Sequence, residues 1–376
     1  MRKRNIVRTL TWLAAALFLS AGWGNGCTPD TMFRGKPPLT ADADTLKKSY
    51  VSAVLDTTIQ TGTNVLWCST FQLAWDQACK TVGGDLRFQP PEDPMVAALN
   101  HHVVSPADLD SDSFIAMAGR VGDGIIERIN LATALKFPGA PRPRFAPRVG
   151  LQRPQDIEAY SYLFKKLDFP VPFERLDEPL NFGGTNVTAF GMGFNKPGHE
   201  KMAGNVSILD YKSADDFVIE LKTKSALDHL VLAKVKPEKT LGDTIAMVQK
   251  RRENASPIAA YPSDVMSVPK MFFDITRGYH EIVGRTLIDP ATGTPTDQQL
   301  LEAVQNIKFQ IDEKGVVLVS EANMSFGCSA EGIRMPVHQL IFDKPFLLVM
   351  SREGGKSPYF ALWVDNAELL EKAGQQ

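Results

Sequence analysis

From Asp156 to near its C-terminus this chain is cut into short apolar pieces, which leaves it few ways to fold. "IEAYSYLFKKLDFPVPF", "TNVTAFGMGF", "NVSILDY", "FVIELKT" and "HLVLAKV" each carry a few apolar residues before a turn residue stops them. Pieces of that length, rich in Val, Ile, Phe and Tyr and bounded by Gly, Pro, Asn, Asp or Ser, read as strands. "LGDTIAMVQKRREN" stands among them as a helix. "PKMFFDITRGY" reads as a further strand and "TDQQLLEAV" as a short helix.

Upstream the period changes. "DTLKKSYVSAVLDTTIQ" places Leu46, Tyr50, Val51, Val54 and Leu55 at helical spacing,. "TGTNVLW" is a turn followed by a short strand, and "CSTFQLAWDQACKTV" is a helix ended by Gly83–Gly84,. The stretch 105–135 reads as one or two helices starting near Ser105 or Ser111. The Pro-, Gly- and Arg-rich "KFPGAPRPRFAPRVG" (136–150) cannot be the interior of a regular element,. Helices first, then many strands with a few helices, predict an α+β protein.

The N-terminus reads as an export signal. "MRKRNIVR" is basic, and "TLTWLAAALFLSAGWG" is an apolar run of signal-peptide length,. Residues 1–26 hold Arg2, Lys3, Arg4 and Arg8 and no acid, so their removal takes the formal charge from −2 to −6. That balance gives no reason to expect nucleic acid as a partner. "GNGC" ends the apolar run at Cys27, in the manner of a bacterial lipoprotein cleavage site. The division that follows is a signal peptide over 1–26, a tether over 27–43 and one domain over 44–370. The expected place is the cell envelope or the outside of the cell, with a lipid on Cys27 as the membrane anchor.

No nucleophile elbow, zinc helix, P-loop or C-x-x-C pair is present, so nothing points to an enzyme, a metal or a cofactor,. The His101–His102 pair reads as a solvated loop, and His199 and His280 as surface or structural residues. Cys68 and Cys79, separated by about 16 Å if both lie on one helix, are expected as buried free thiols. Cys328 lies nearer the C-terminus, in a less regular stretch.

That stretch is part of "KFQIDEKGVVLVSEANMSFGCSAEGIRMPVHQLIFDKPFLLVM" (308–350), where a long, loosely patterned segment separates two good strands. The order of elements here resembles the serpin family. "IDEKG" (311–315) resembles the end of the strand before that family's mobile reactive loop, "FDKPFLLVM" (342–350) the strand by which the chain returns, and "KSPYFALWVDN" (356–366) the closing strand. "TNVLWCSTFQLAWDQAC", "YLFKKLDFPVPFERLDEPLNF" with Phe173, and "SVPKMFFDITRGYH" are similar to upstream family motifs in the same order.

The resemblance implies a large, mostly antiparallel sheet with helices packed behind it and a C-terminal β-region. It implies an inhibitor of serine-type endopeptidases rather than an enzyme, with a hinge at Glu313, Gly315, Val316 and Leu318 and a reactive loop over about 320–337. Counting from the returning strand puts the scissile bond at Arg334–Met335, which suits a trypsin-like partner with an acid in its specificity pocket. Counting from the hinge glycine puts it at Ser329–Ala330.

The chain departs from the family pattern at Cys68–Ser69, at Gln305 and at Phe169. At the hinge, Val316, Val317, Leu318 and Val319 replace the usual run of small residues. Alternation puts Val316, Leu318, Ser320 and Ala322 on the core side. Left in solvent, such a run forgoes about 1.5 kcal/mol or more per side chain. Residues 316–320 are therefore expected to continue the preceding strand, with the accessible part starting near Asn323. On that ground the alternative function is a non-inhibitory serpin-fold lipoprotein that binds a partner or ligand.

Overall fold

The computed structural model describes residues 37–89, 93–140, 143, 153–193, 198–318 and 338–374. They form an α+β fold with large, mostly antiparallel sheets, as expected. The largest sheet has eight described strands. It runs in the order Ile258–Ala259, Val206–Ser213, Asp216–Leu221, Asp228–Lys234, Phe346–Arg352, Phe360–Val364, Asn64–Cys68 and Ser49–Ser52. Only the last two are paired in parallel. Phe360–Val364 is buried at every position, as is Phe346–Arg352 except for Arg352. Continuous apolar runs of this kind are what a strand covered on both faces requires.

A five-stranded sheet lies against it. Its order is Leu39–Asp42, Met271–Gly278, Val304–Asp312, Gly315–Leu318 and Lys165–Asp168. Phe309 of this sheet stacks on Phe360 of the larger one, ring centroids 4.6 Å apart and planes within 10°. A four-stranded sheet holds Gln339–Ile341, Val265–Pro269, Ala189–Met192 and Glu174–Arg175. Gly191 is needed there, because a Cβ on it would stand 1.8 Å from the Met266 carbonyl oxygen.

The helix Thr70–Val82 follows the strand Asn64–Cys68 and ends at Gly83, whose φ of 93° only glycine adopts easily,. It packs behind Phe114–Arg120 and Ile157–Leu163, with Phe71 and Trp75 in an aromatic cluster with Tyr279 and Phe88. The helix Leu241–Glu253 is capped by Thr240, whose hydroxyl accepts the Asp243 amide,. It covers the strands Val206–Ser213 and Asp216–Leu221.

Several expectations are corrected. The segment read as a helix from Asp44 is a one-turn helix, Ala43–Thr45, and a strand, Ser49–Ser52. Tyr50 is exposed while Val51 is buried, as strand alternation demands,. Tertiary partners take the amides that a helix would have used: the Glu368 carboxylate accepts from Lys47 and Lys48 at 2.8 and 2.9 Å. "TDQQLLEAV" contributes not a helix but the strand Pro295–Gln299, held through Thr296 Oγ1 to the Leu287 carbonyl.

Of the stretch 105–135, Ser105 does open a short helix, through a capping box with Asp108, but Phe114–Arg120 is a strand and the longer helix is Ile125–Lys136. Leu39–Asp42, within the segment read as a tether, is a strand. Cys68 ends a strand rather than sharing a helix with Cys79; both thiols are free and buried. His102 is not simply solvated, since its ring bridges Asp76 at 2.9 Å and Asp85 at 3.2 Å. His199 is buried and hydrogen-bonded to the Pro262 carbonyl, and His280 is exposed.

Candidate hinge and loop anchorage

The four residues expected to form the hinge, Glu313, Gly315, Val316 and Leu318, lie in one turn and the strand that follows it. Asp312 pairs with Gly315, so Glu313 and Lys314 form a two-residue turn and the chain doubles back. The Asp312 carboxylate accepts the Lys314 amide at 2.9 Å and stabilises that turn,. The expected continuation of the strand past Gly315 is thus corrected. Gly315–Leu318 is a new strand, running antiparallel to both neighbours. It pairs Val316 with Ile311 and Val317 with Gln310 on one flank. On the other, Gly315 to Leu318 pair with Asp168 back to Lys165. Apolar content explains the outcome, because Val316 is fully buried there.

Gly315 is required by its surroundings. Its φ is 147°, and a Cβ on it would lie 2.4 Å from the Leu167 carbonyl oxygen,. The turn is held from outside as well. Phe169 and Phe173 donate their amides to the carbonyls of Lys314 and Glu313 at 3.0 and 2.7 Å. Their rings pack edge to face, 4.9 Å apart. Phe169 therefore serves this turn through its backbone and its ring.

Glu313 Oε2 meets Lys270 Nζ at 2.8 Å. Burial, the largest single influence, pushes its carboxyl up, but the Lys270 contact, its own backbone amide and the Lys314 charge together outweigh that and hold it below its ordinary value,. At the other end of the hinge strand, the register partner of Leu318 is Lys165. This buried lysine is paired with Asp228 at 2.9 Å and Asp110 at 3.3 Å. Tyr359 donates its hydroxyl to Asp228 at 3.0 Å, and burial raises that phenol well above its usual range.

Gln305 forms a second polar tie beneath the sheet. Its Nε2 donates to the Cys68 carbonyl at 3.0 Å and to Thr70 Oγ1 at 2.8 Å, and its Oε1 accepts from Tyr279 at 2.8 Å. These bonds join the strand Val304–Asp312 to the start of the helix Thr70–Val82.

The return side is equally fixed. His338 donates its backbone amide to Asp264 Oδ1 at 2.8 Å, and its Nδ1 lies 2.9 Å from Oδ2 of the same buried carboxylate. Its ring is stacked on Tyr261 and stands edge-on to Tyr211. Asp343 and the Ile341 carbonyl accept from Lys234 Nζ, at 2.6 and 2.9 Å. Asp215 accepts from Lys234 and Lys344, which pull its carboxyl down to about 2.

The candidate scissile residues Arg334, Met335, Ser329 and Ala330, and the candidate lipidation site Cys27, lie outside the described residues. Lys270, Lys165, Asp264 and Lys234 were missed in the sequence. Lys270 stood inside the quoted "SVPKMFFDITRGYH", but nothing local signalled its partner. Among the described residues no group of three or more His, Cys, Asp or Glu is placed to hold a metal ion. Nor is any described helix long and apolar enough to cross a membrane.

No family model matches this chain, and no curated protein matches it. Among solved structures, it is similar to the crystal structure of Serpin48, a highly specific serpin of the insect Tenebrio molitor. The two are 13% identical, over 81% of this chain and 92% of that one, with a TM-score of 0.44. An overlap that loose carries no functional argument by itself.

Proposed function

We propose that this chain is a serpin-like inhibitor of serine-type endopeptidases, which offers the segment 319–337 between a seated hinge and an anchored return strand. One observation carries the reading. Gly315–Leu318 lies between two strands of the five-stranded sheet and leads directly into 319–337. Among the described residues, the ladder on this flank of Val304–Asp312 ends at Gln310, while the strand itself continues back to Val304.

Cutting the loop frees the hinge strand to lengthen along that flank. The register then sets Leu318 opposite Phe309, Ser320 opposite Ile307 and Ala322 opposite Gln305. Phe309, Ile307 and Gln305 are all buried, as is Ile311 opposite Val316. The sequence supplies a large apolar residue nearest the hinge and small ones further in. Both candidate bonds, Arg334–Met335 and Ser329–Ala330, lie beyond this stretch, and Arg334 suits a trypsin-like partner. Cys27 is proposed as a lipid anchor that holds the exported chain at the cell envelope. A Cys27→Ser chain then leaves the membrane fraction, and an unchanged distribution refutes the anchor.

The test of inhibition is a trypsin digest of 28–376, followed by an SDS gel and a thermal melt. An SDS-stable adduct, or a nick in 319–337 that raises the melting point by tens of degrees, supports the reading. A nick with neither effect refutes it. That result favours the second reading, a serpin-fold binding protein, for which the complete burial of Val316 in the uncut sheet already speaks.

A further inference from the structure

The outer edge of the strand Met271–Gly278 is occupied by Leu39–Asp42. The two run in parallel, with Leu39 opposite Phe273, Thr40 opposite Asp274, Ala41 opposite Ile275 and Asp42 opposite Thr276. The covering strand has four residues, three of them exposed, so its own side chains bury little. Its main side-chain fastening is beyond its end. Arg277 grips the Asp44 carboxylate while lying over the rings of Tyr50 and Tyr279 and pairing with Glu281 at 3.0 Å.

Beyond the covering strand, Ala43 is buried in the main core, Leu46 packs against that core, and the amides of Lys47 and Lys48 go to Glu368. Residues 39–44 can therefore leave by giving up one buried alanine side chain, while Leu46 and the rest of the fold stay in place. Departure exposes the edge of an eight-residue strand, and a bare edge recruits another strand,. The contacts that hold Leu39–Asp42 and Asp44 are made with the edge strand, with Arg277 on it, and with His280 just beyond it, 3.7 Å from the Asp44 carboxylate. A second copy's segment makes the same contacts, and only the connection through 43–46 decides which copy supplies it.

We propose that the outer edge of Met271–Gly278 is a strand-acceptor site for residues 39–44, filled within one chain when dilute and by reciprocal exchange between two copies when concentrated. Exchange of an identical element is a low-cost route to a dimer. The strand in place competes at an effective concentration on the order of 1 mM, as a short flexible connection gives.

The experiment uses the full chain carrying Thr40→Cys and Asp274→Cys, two positions opposite each other in the register. Isotopically light and heavy preparations are mixed at roughly 10 μM and 1 mM, held, then oxidised. The expected result is a 40–274 disulfide within one chain at the lower concentration and a light–heavy link in a substantial fraction at the higher. Light scattering on the unsubstituted protein is expected to show monomer giving way to dimer over the same range. Links only within chains at both concentrations, or an unsubstituted protein that stays monomeric at 1 mM, overturn the proposal.

Discussion

The two largest sheets of this protein are held together by different means. In the eight-stranded sheet, the neighbouring strands Phe346–Arg352 and Phe360–Val364 form a nearly continuous apolar slab. In the five-stranded sheet, Val304–Asp312 is exposed and buried by turns over its first half, and it carries the buried polar residues Gln305, Gln310 and Asp312. The candidate hinge strand beside it is bounded by ion pairs, Glu313 with Lys270 at one end and Lys165 with Asp228 at the other. Apolar burial is non-directional and does not depend on one partner. A buried charge is tolerable only while its partner stays in place. The first sheet is therefore a fixed base, and the second is made of ties that specific changes can release.

Breaking the base has the largest effect. Phe360 is fully buried and carries the ring stack between the sheets. Phe360→Ala is expected to cost about 3–5 kcal/mol, read as a fall in the urea midpoint with unchanged slope. A loss under about 1 kcal/mol means that the sheets do not depend on this contact.

Gly315→Ala attacks the hinge alone. The added Cβ collides with the Leu167 carbonyl, and the backbone stands at a φ that side chains avoid. The expected cost is about 1–3 kcal/mol. Faster amide exchange should be confined to Val316 and Val317, with the eight-stranded sheet unaffected. Uniform loss of protection would show that the hinge is part of the base after all.

Much of this division could be read in the sequence. Most strands from Asp156 onward and the helices Thr70–Val82 and Leu241–Glu253 followed from spacing and turn residues, because those signals are local; the place of the hinge rested on a family resemblance instead. What stayed hidden was long-range. Ser49–Ser52 is a strand because Asn64–Cys68 and Glu368 receive it, and Glu368 is more than three hundred residues away. The doubling-back at Glu313–Lys314 depends on amides from Phe169 and Phe173. Lys165 and Asp228 are ordinary surface residue types until folding brings them together in the interior.

The ion pair at the hinge gives the comparison a pH dependence. The Glu313 carboxyl is lowered in the folded state, so its contribution is present above the unfolded glutamate range, near 4.3, and is lost as pH falls through the folded value,. Glu313→Gln is expected to cost about 1.5 kcal/mol at pH 7 and almost nothing once the wild-type carboxyl is protonated. Equal urea midpoints at pH 7 would remove the pair from the set of ties.

The rim of the eight-stranded sheet carries a tie of the opposite sign. Both ring nitrogens of His229 face carboxylates, Glu220 at 2.7 Å and Glu353 at 2.5 Å, with Arg252 on the far side of Glu220 at 3.6 Å. Two acceptors require a doubly protonated ring. The bond to Glu220 raises its value, ahead of burial, which lowers it. A raised folded value means that the stabilisation is complete below the unfolded range, near 6.5, and disappears as pH rises through the folded value. His229→Gln is expected to cost about 0.5–1 kcal/mol at pH 6 and less at pH 9. Alkali should thus release the rim while the Glu313–Lys270 pair holds; strong acid removes both, because each tie needs an ionised carboxylate. In urea midpoints measured from pH 6 to 9, Glu313→Gln should stay below wild type throughout, while the gap for His229→Gln should close as pH rises. Parallel curves would mean that the two sheets respond as one body.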